Sequence, residues 1–262
     1  MSCISFVVYI LGYLLQTPDT YICTYTTEVP EGSDICTQEN ICDGDPRIAT
    51  WEADPYSDKY IDNWQQRLDL TCVDPMKYGM IGASLFIGWS MTLLWLPSFA
   101  DRNGRRKYFF ACMVLDLGLF TALMFTKNLY VMIAIFFCFG LLTSIRTNVG
   151  YVYLMEMLPK KAQTPVTTAW NVQEVMIYFM GTLYFWKICQ CWFYFPLVGY
   201  AWQVISVIIM IWLPESPRYL VCVGKLDEAK KVFQIIAWFN NKELVWDEKL
   251  YTDSCHVNAI EN

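Results

Sequence analysis

Asp101-Arg102-Asn103-Gly104-Arg105-Arg106-Lys107 is the stretch that decides the fold of this chain. It separates an uncharged run of 23 residues, 78–100, from a second apolar run that starts at Tyr108. A helix of that length spans a bilayer core of about 30 Å, at about 1.5 Å per residue. Four cations beside such a run mark the cytosolic side of the membrane. The sequence therefore predicts an integral, all-α membrane protein with this loop in the cytosol.

Composition and charge distribution support the same class and orient the chain. Hydrophobic residues make up 55% of the chain and charged residues 17%, and the mean hydropathy is +0.29. Residues 16–75 carry 13 acidic and three basic side chains, whereas the cations elsewhere form short clusters. The positive-inside rule then places the acidic segment outside and the basic clusters, with the C-terminus, in the cytosol.

Hydrophobic runs divide the chain into four parts. Residues 1–15 are apolar but reach only about 22 Å, so we expect a partial transmembrane helix 1. Residues 16–76 form an exoplasmic loop that contains cysteines, and residues 77–213 form transmembrane helices 2 to 6. The predicted spans are roughly 77–99, 108–126, 129–155, 164–186 and 192–213. Residues 214–262 form a cytosolic segment with an amphipathic helix at about 225–239, where apolar residues recur at helical spacing.

Three motifs in this order resemble the major facilitator superfamily, and within it the organic cation and anion transporters. They are the D-R-x-G-R-R loop at 101–106, the Glu156-Met157-Leu158-Pro159 sequence, and Pro214-Glu215-Ser216-Pro217-Arg218. Such transporters have twelve helices in two six-helix halves, so the chain resembles an N-terminal half that would need a second half as partner. The resemblance implies a multi-pass protein of the plasma membrane. It also implies transport of a small organic solute, an organic ion or a sugar-like molecule, by alternating access.

The resemblance further implies a cytosolic gate at the inner ends of helices 2, 4 and 6. Its residues would be Asp101, Arg102, Gly104, Arg105, Arg106, Glu156, Glu215 and Arg218. The alternative is that these charges only set topology at the level of the headgroups, where each contributes little. Two departures weaken the expected gate: Pro97 replaces a family glycine, and Gln163 replaces the final arginine of a family motif.

Three ionisable residues lie inside the apolar runs, namely Asp116, Arg146 and Glu174. Their spacing from the predicted helix ends places each about 12 to 15 Å from the cytosolic boundary, near the midplane where secondary transporters bind substrate. A charge at that depth costs at least about 2.5 kcal/mol, so Arg146 is expected to pair with Glu174 or Asp116. We interpret the three residues either as a substrate or proton site or as a purely structural ion pair.

The cysteines indicate disulfides rather than a metal site. Cys23, Cys36, Cys42 and Cys72 lie in the acidic segment, and an even set outside the cell predicts two disulfides with three possible pairings. Unpaired thiols in a loop of an intracellular membrane are the alternative. Cys189-Gln190-Cys191 has one intervening residue and not two, so the sequence by itself indicates no redox site and no zinc site there.

Two functions from different classes remain open. The chain contains no phosphate loop, metalloprotease motif or catalytic triad, so we expect no enzyme activity, no cofactor and no nucleic-acid partner. The first hypothesis is solute transport through the lipid bilayer, with this chain as one half or a fragment of the transporter. The second is a membrane scaffold or accessory subunit that keeps the fold without transporting.

Overall fold

The structure, a computed structural model, describes residues 3–26, 35–44, 46–57, 60–93 and 104–242. Helices dominate this part of the chain. The early helices and strands are α1 (Cys3–Tyr9), α2 (Leu11–Leu14), β1 (Tyr21–Tyr25), β2 (Ile35–Cys36), α3 (Gln38–Cys42), β3 (Ile48–Ala53) and α4 (Trp64–Arg67). The later helices are α5 (Pro75–Leu93), α6 (Arg105–Phe125), α7 (Leu129–Met157), α8 (Lys160–Leu183), α9 (Tyr194–Trp212), α10 (Pro217–Cys222) and α11 (Leu226–Phe239).

The acidic segment between α2 and α5 contains a small antiparallel sheet of three strands in the order β2-β1-β3. Alternation along Tyr21–Tyr25 explains the central strand, since Tyr21 and Cys23 are buried while their neighbours are exposed. Disulfides Cys23–Cys36 and Cys42–Cys72 join β1 to β2 and α3 to the turn before α5. The segment, predicted as a loop with two disulfides, contains a small sheet in addition to them.

Three helical stretches of the described chain are long and apolar enough to cross a membrane: Arg105–Phe125, Leu129–Met157 and Tyr194–Cys222. The other two predicted full spans are also helical, as α5 and α8. The described part of α5 stops at Leu93, and α8 carries Asn171 and Glu174 among its polar residues. α7 is interrupted by a π-helical turn at Ile145–Val149.

The first helix lies inside the bundle. α1 packs against α6, α8 and α9, and Val7 and Ile10 are fully buried there. The rings of Phe6 and Phe195 lie 5.3 Å apart, and a side chain at Gly181 would meet Ile10 within 2.6 Å. Glycines on α8 and α9 therefore allow α1 to approach closely.

α5 and α7 approach one another closely at two glycines. A Cβ added at Gly140 would lie 2.1 Å from the carbonyl oxygen of Leu85, and one at Gly88 would lie 2.4 Å from that of Phe137. Small residues that let two backbones meet are typical of helix packing in membranes.

α10 and α11 form a separate small core after the end of α9. Leu220 and Val221 of α10 pack against Ala229 and Val232 of α11. α11 spans Leu226–Phe239, one residue from the predicted start of the amphipathic helix.

Candidate solute cavity and ion-pair cluster

A cavity of about 350 Å³ opens among α1, α5, α7 and α8. A neighbouring cavity of about 220 Å³ lies among α6, α7, α8 and α9. The two cavities share four lining residues: Arg146, Thr147, Trp170 and Glu174. The predicted cation and one predicted carboxylate are therefore brought to the same place.

Arg146 reaches the cavities from the π-helical turn of α7. Such a turn shifts the following side chains around the helix, and π turns occur frequently at functional sites. The Nη1 atom of Arg146 is buried without a hydrogen-bond partner, as is the indole Nε1 of Trp89, which lines the larger cavity. Within the described chain, no ion pair joins Arg146 to Glu174. Two donors beside the larger cavity thus lack an acceptor.

Asp116 is not among the residues that line the two cavities. It is a buried residue of α6 and is 4% exposed. Depth alone placed it with Arg146 and Glu174, but the direction in which a helix presents a residue decides whether that residue reaches a cavity.

Aromatic side chains complete the larger cavity and were not among the predicted site residues. Tyr9, Trp89 and Trp170 all contribute to its lining. Trp170 precedes Glu174 by four residues on α8, so both lie on one helix face, a spacing that sequence reasoning can use. Tyr9 and Trp89 become neighbours only through the packing of α1 and α5 on the bundle.

A second cluster lies where α6 begins and where α7 and α9 end. Arg105 forms an ion pair with Glu156, and their side chains are 15% and 10% exposed. The hydroxyl of Ser216 donates to Oε2 of Glu156 at 2.6 Å and accepts the backbone N–H of Tyr219 at 3.2 Å. Ser216, which sequence reasoning did not select, therefore joins the ion pair to the first turn of α10.

Glu215 and Arg106 connect the start of α6 to the end of α9. The carboxylate of Glu215 accepts the backbone N–H of Arg106 at 3.0 Å, and Nη2 of Arg106 donates to the carbonyl of Ile211 at 2.8 Å. Gly104 has φ +95°, and a Cβ there would lie 3.2 Å from Oε2 of Glu215. The backbone conformation therefore favours glycine at this position, and a side chain there would also press against Glu215.

Of the remaining predicted gate residues, the structure describes Arg218 but not Asp101 or Arg102. Arg218 lines an open cavity with Arg105 and Glu156. Asp101 and Arg102 lie outside the described residues. Gln163, which replaces a family arginine, donates from Nε2 to the carbonyl of Met155 at 3.0 Å, near the end of α7.

Comparison of the sequence with known proteins places the chain in a family. Residues 5–249 match the family described as sugar (and other) transporter. Organic cation transporter 1 of Caenorhabditis elegans is 26% identical over 214 residues, which are 80% of this chain and 36% of that protein. Organic cation/carnitine transporter 2 of Rattus norvegicus is 25% identical over 78% of this chain and 35% of its own length. Putative metabolite transport protein YfiG of Bacillus subtilis is 25% identical over 65% of this chain and 36% of its own length.

The chain spans about a third of the length of these relatives. The family match extends over most of the chain, including the cavity and the ion-pair cluster. The predicted all-α membrane fold of the major facilitator type is confirmed. The chain belongs to the sugar (and other) transporter family, a family of membrane transporters rather than of enzymes.

Proposed function

We propose that this chain takes part in the transport of a small organic solute across a membrane by alternating access, as one half of the transport unit. Arg146 carries the proposal, because its buried Nη1 has no hydrogen-bond partner in a cavity that it shares with Glu174. An unpaired buried donor is costly, so an acceptor on a bound solute would relieve that cost. Relatives named for organic cation and metabolite transport support the same class of solute.

The lining of the larger cavity suits a polar solute with an apolar body. Glu174 supplies a carboxylate, and Arg146 and the indole of Trp89 supply donors. The rings of Tyr9 and Trp170 add apolar surface, which also attracts organic cations. Because the cavity offers both a carboxylate and hydrogen-bond donors, we propose a solute that has both a donor or cationic group and an acceptor group.

The ion-pair cluster is proposed to be the cytosolic gate. Arg105, Glu156 and Ser216 connect three helix ends through one carboxylate. Breaking that connection would allow the helix ends to separate when the halves rock. In this proposal the protein is placed in the plasma membrane, with the acidic segment outside and the C-terminal segment in the cytosol.

Solute binding can be tested with the purified chain in lipid nanodiscs, using radiolabelled tetraethylammonium, carnitine and arabinose as probes. We expect saturable binding of at least one probe, and its loss in Glu174→Gln and in Arg146→Gln. Gln173→Ala is the matched control, since Gln173 is the exposed neighbour of Glu174 on α8 and should leave binding unchanged. Equal binding in all four proteins would contradict the site.

Uptake into proteoliposomes tests whether the chain acts as one half, whereas probe binding separates transport from the scaffold alternative. A single half supplies one wall of the cavity, so we expect this chain alone to show no saturable uptake. Saturable uptake by the chain alone would overturn its proposed role as one half. Absence of binding for every probe would favour a scaffold or accessory subunit instead.

A further inference from the structure

The turn between α8 and α9 holds two accessible thiols. Cys189 and Cys191 are both unpaired by disulfides and partly exposed, whereas the free thiol of Cys112 on α6 is buried. Only Gln190 separates them. Two thiols this close along an exposed turn can react with one another or in sequence with a common reagent.

Hydrogen bonds make the two sulfurs unequal. The backbone N–H of Cys191 donates to the Sγ atom of Cys189 at 3.3 Å. This bond is the main cause that lowers the pKa of Cys189, and the side chain of Cys191 lowers it further, against desolvation and the charge of Asp62. The side-chain hydrogen bond with Cys189 is the main cause that raises the pKa of Cys191. Cys189 is therefore the sulfur better stabilised as a thiolate.

Backbone contacts hold the turn in this conformation. The N–H of Asp62 donates to the carbonyl of Gln190 at 3.0 Å, and the N–H of Trp192 donates to the carbonyl of Asp62 at 3.1 Å. The hydroxyl of Tyr184 donates to the carbonyl of Cys191 at 2.8 Å. Because the residues on both sides of Cys191 are fixed, the N–H to sulfur contact does not depend on a mobile loop.

We propose that Cys189 and Cys191 form a reactive dithiol site for low-molecular-weight disulfides, with Cys189 as the attacking sulfur and Cys191 as the resolving one. The Cys189 thiolate attacks one sulfur of the disulfide, the S–S bond of the reagent breaks, and one thiolate leaves. The Cys191 thiol then loses its proton to solvent or to that thiolate and attacks Sγ of Cys189. A Cys189–Cys191 disulfide forms and the second thiol leaves, so one reagent disulfide is reduced to two thiols as the dithiol is oxidised.

Trapping of the mixed disulfide tests this assignment. The purified chain in detergent is incubated with oxidised glutathione, and the peptides that contain each cysteine are quantified by mass spectrometry. In Cys191→Ser we expect a stable glutathione adduct at Cys189. In Cys189→Ser the adduct at Cys191 should form at least about fivefold more slowly, because the described backbone N–H contact favours a thiolate at position 189 and not at position 191. Cys138→Ser is the control and should behave as the unmodified chain.

The unmodified chain supplies an independent readout. Oxidised glutathione should produce the internal disulfide with little retained adduct, and limiting iodoacetamide at neutral pH should alkylate Cys189 before Cys191. Equal rates at both positions would overturn the assignment of the attacking sulfur. A persistent glutathione adduct in the unmodified chain would overturn the resolving role of Cys191.

Discussion

Ser216 stabilises both the first turn of α10 and the ion pair of Glu156. Its side chain is fully buried, accepts the N–H of Tyr219 at the start of α10, and donates to Glu156. The residue before a helix that accepts such a bond contributes about 1 kcal/mol. Losing the second bond leaves a largely buried carboxylate with one donor fewer, which costs about 1 to 3 kcal/mol.

Ser216→Ala is therefore expected to lower the stability of the chain by about 2 to 4 kcal/mol. Thermal unfolding in detergent would measure the change as a lower midpoint. Ser206→Ala is the matched control, since the hydroxyl of half-buried Ser206 donates to the carbonyl of Trp202 one turn earlier on the same helix. We expect the control to change stability by less than about 0.5 kcal/mol. Equal losses in both variants would contradict the role of Ser216.

The crossing of α5 and α7 depends on the absence of side chains at two positions. Gly88 and Gly140 face one another across it, and a Cβ at Gly140 would also lie 2.9 Å from the backbone nitrogen of Trp89. These atoms belong to helix backbones, which cannot move away as a flexible side chain would. The helices must separate to admit even one methyl group.

Gly140→Ala is expected to destabilise the bundle by about 1 to 3 kcal/mol, as overpacking does. Gly118→Ala on α6 gives the control, because nothing lies within 4 Å of its added Cβ. Glycine inside a helix is less favourable than alanine by about 1 kcal/mol, so the control should be neutral or more stable. The midpoint of thermal unfolding is measured for both variants and for the unmodified chain. A midpoint for Gly140→Ala at or above that of the unmodified chain would show that the two helices are not tightly packed at their crossing.

The whole molecule exposes a broad apolar surface on α8 and α9. Val175 and Ile208, for example, are 65% and 53% exposed, and Trp212 at the end of α9 is 84% exposed. Water-soluble proteins rarely expose continuous apolar areas of this kind. Lipid tails or another part of a transporter are the surroundings that suit such a surface.

Alkaline carbonate extraction of membranes from expressing cells tests this inference. We expect the chain to stay in the membrane pellet and to enter the soluble fraction only with detergent, because its exposed helices would otherwise face water. A peripheral membrane protein in the same cells is the control and should be released. Release of this chain without detergent would show that it does not cross the bilayer.

Much of the architecture could be predicted from the sequence because membrane helices follow local rules. An apolar run has to satisfy its own backbone in lipid, so length and hydropathy locate α6, α7 and α9 closely. The motifs likewise indicated the family and the approximate helix ends. The same reasoning placed Arg146 and Glu174 near one depth, and both line the cavities.

Only the tertiary structure decided the features that depend on which way a side chain points and on contacts between residues distant in sequence. Four cysteines allow three pairings, and only the folding of the acidic segment brings Cys23 to Cys36 and Cys42 to Cys72. Asp116 shares the predicted depth of Arg146 but lines neither cavity, because depth does not specify which way a helix face points. Hydropathy does not reveal a π-helical turn, and the bonds of Ser216 and Cys189 depend on local geometry that residue spacing leaves open.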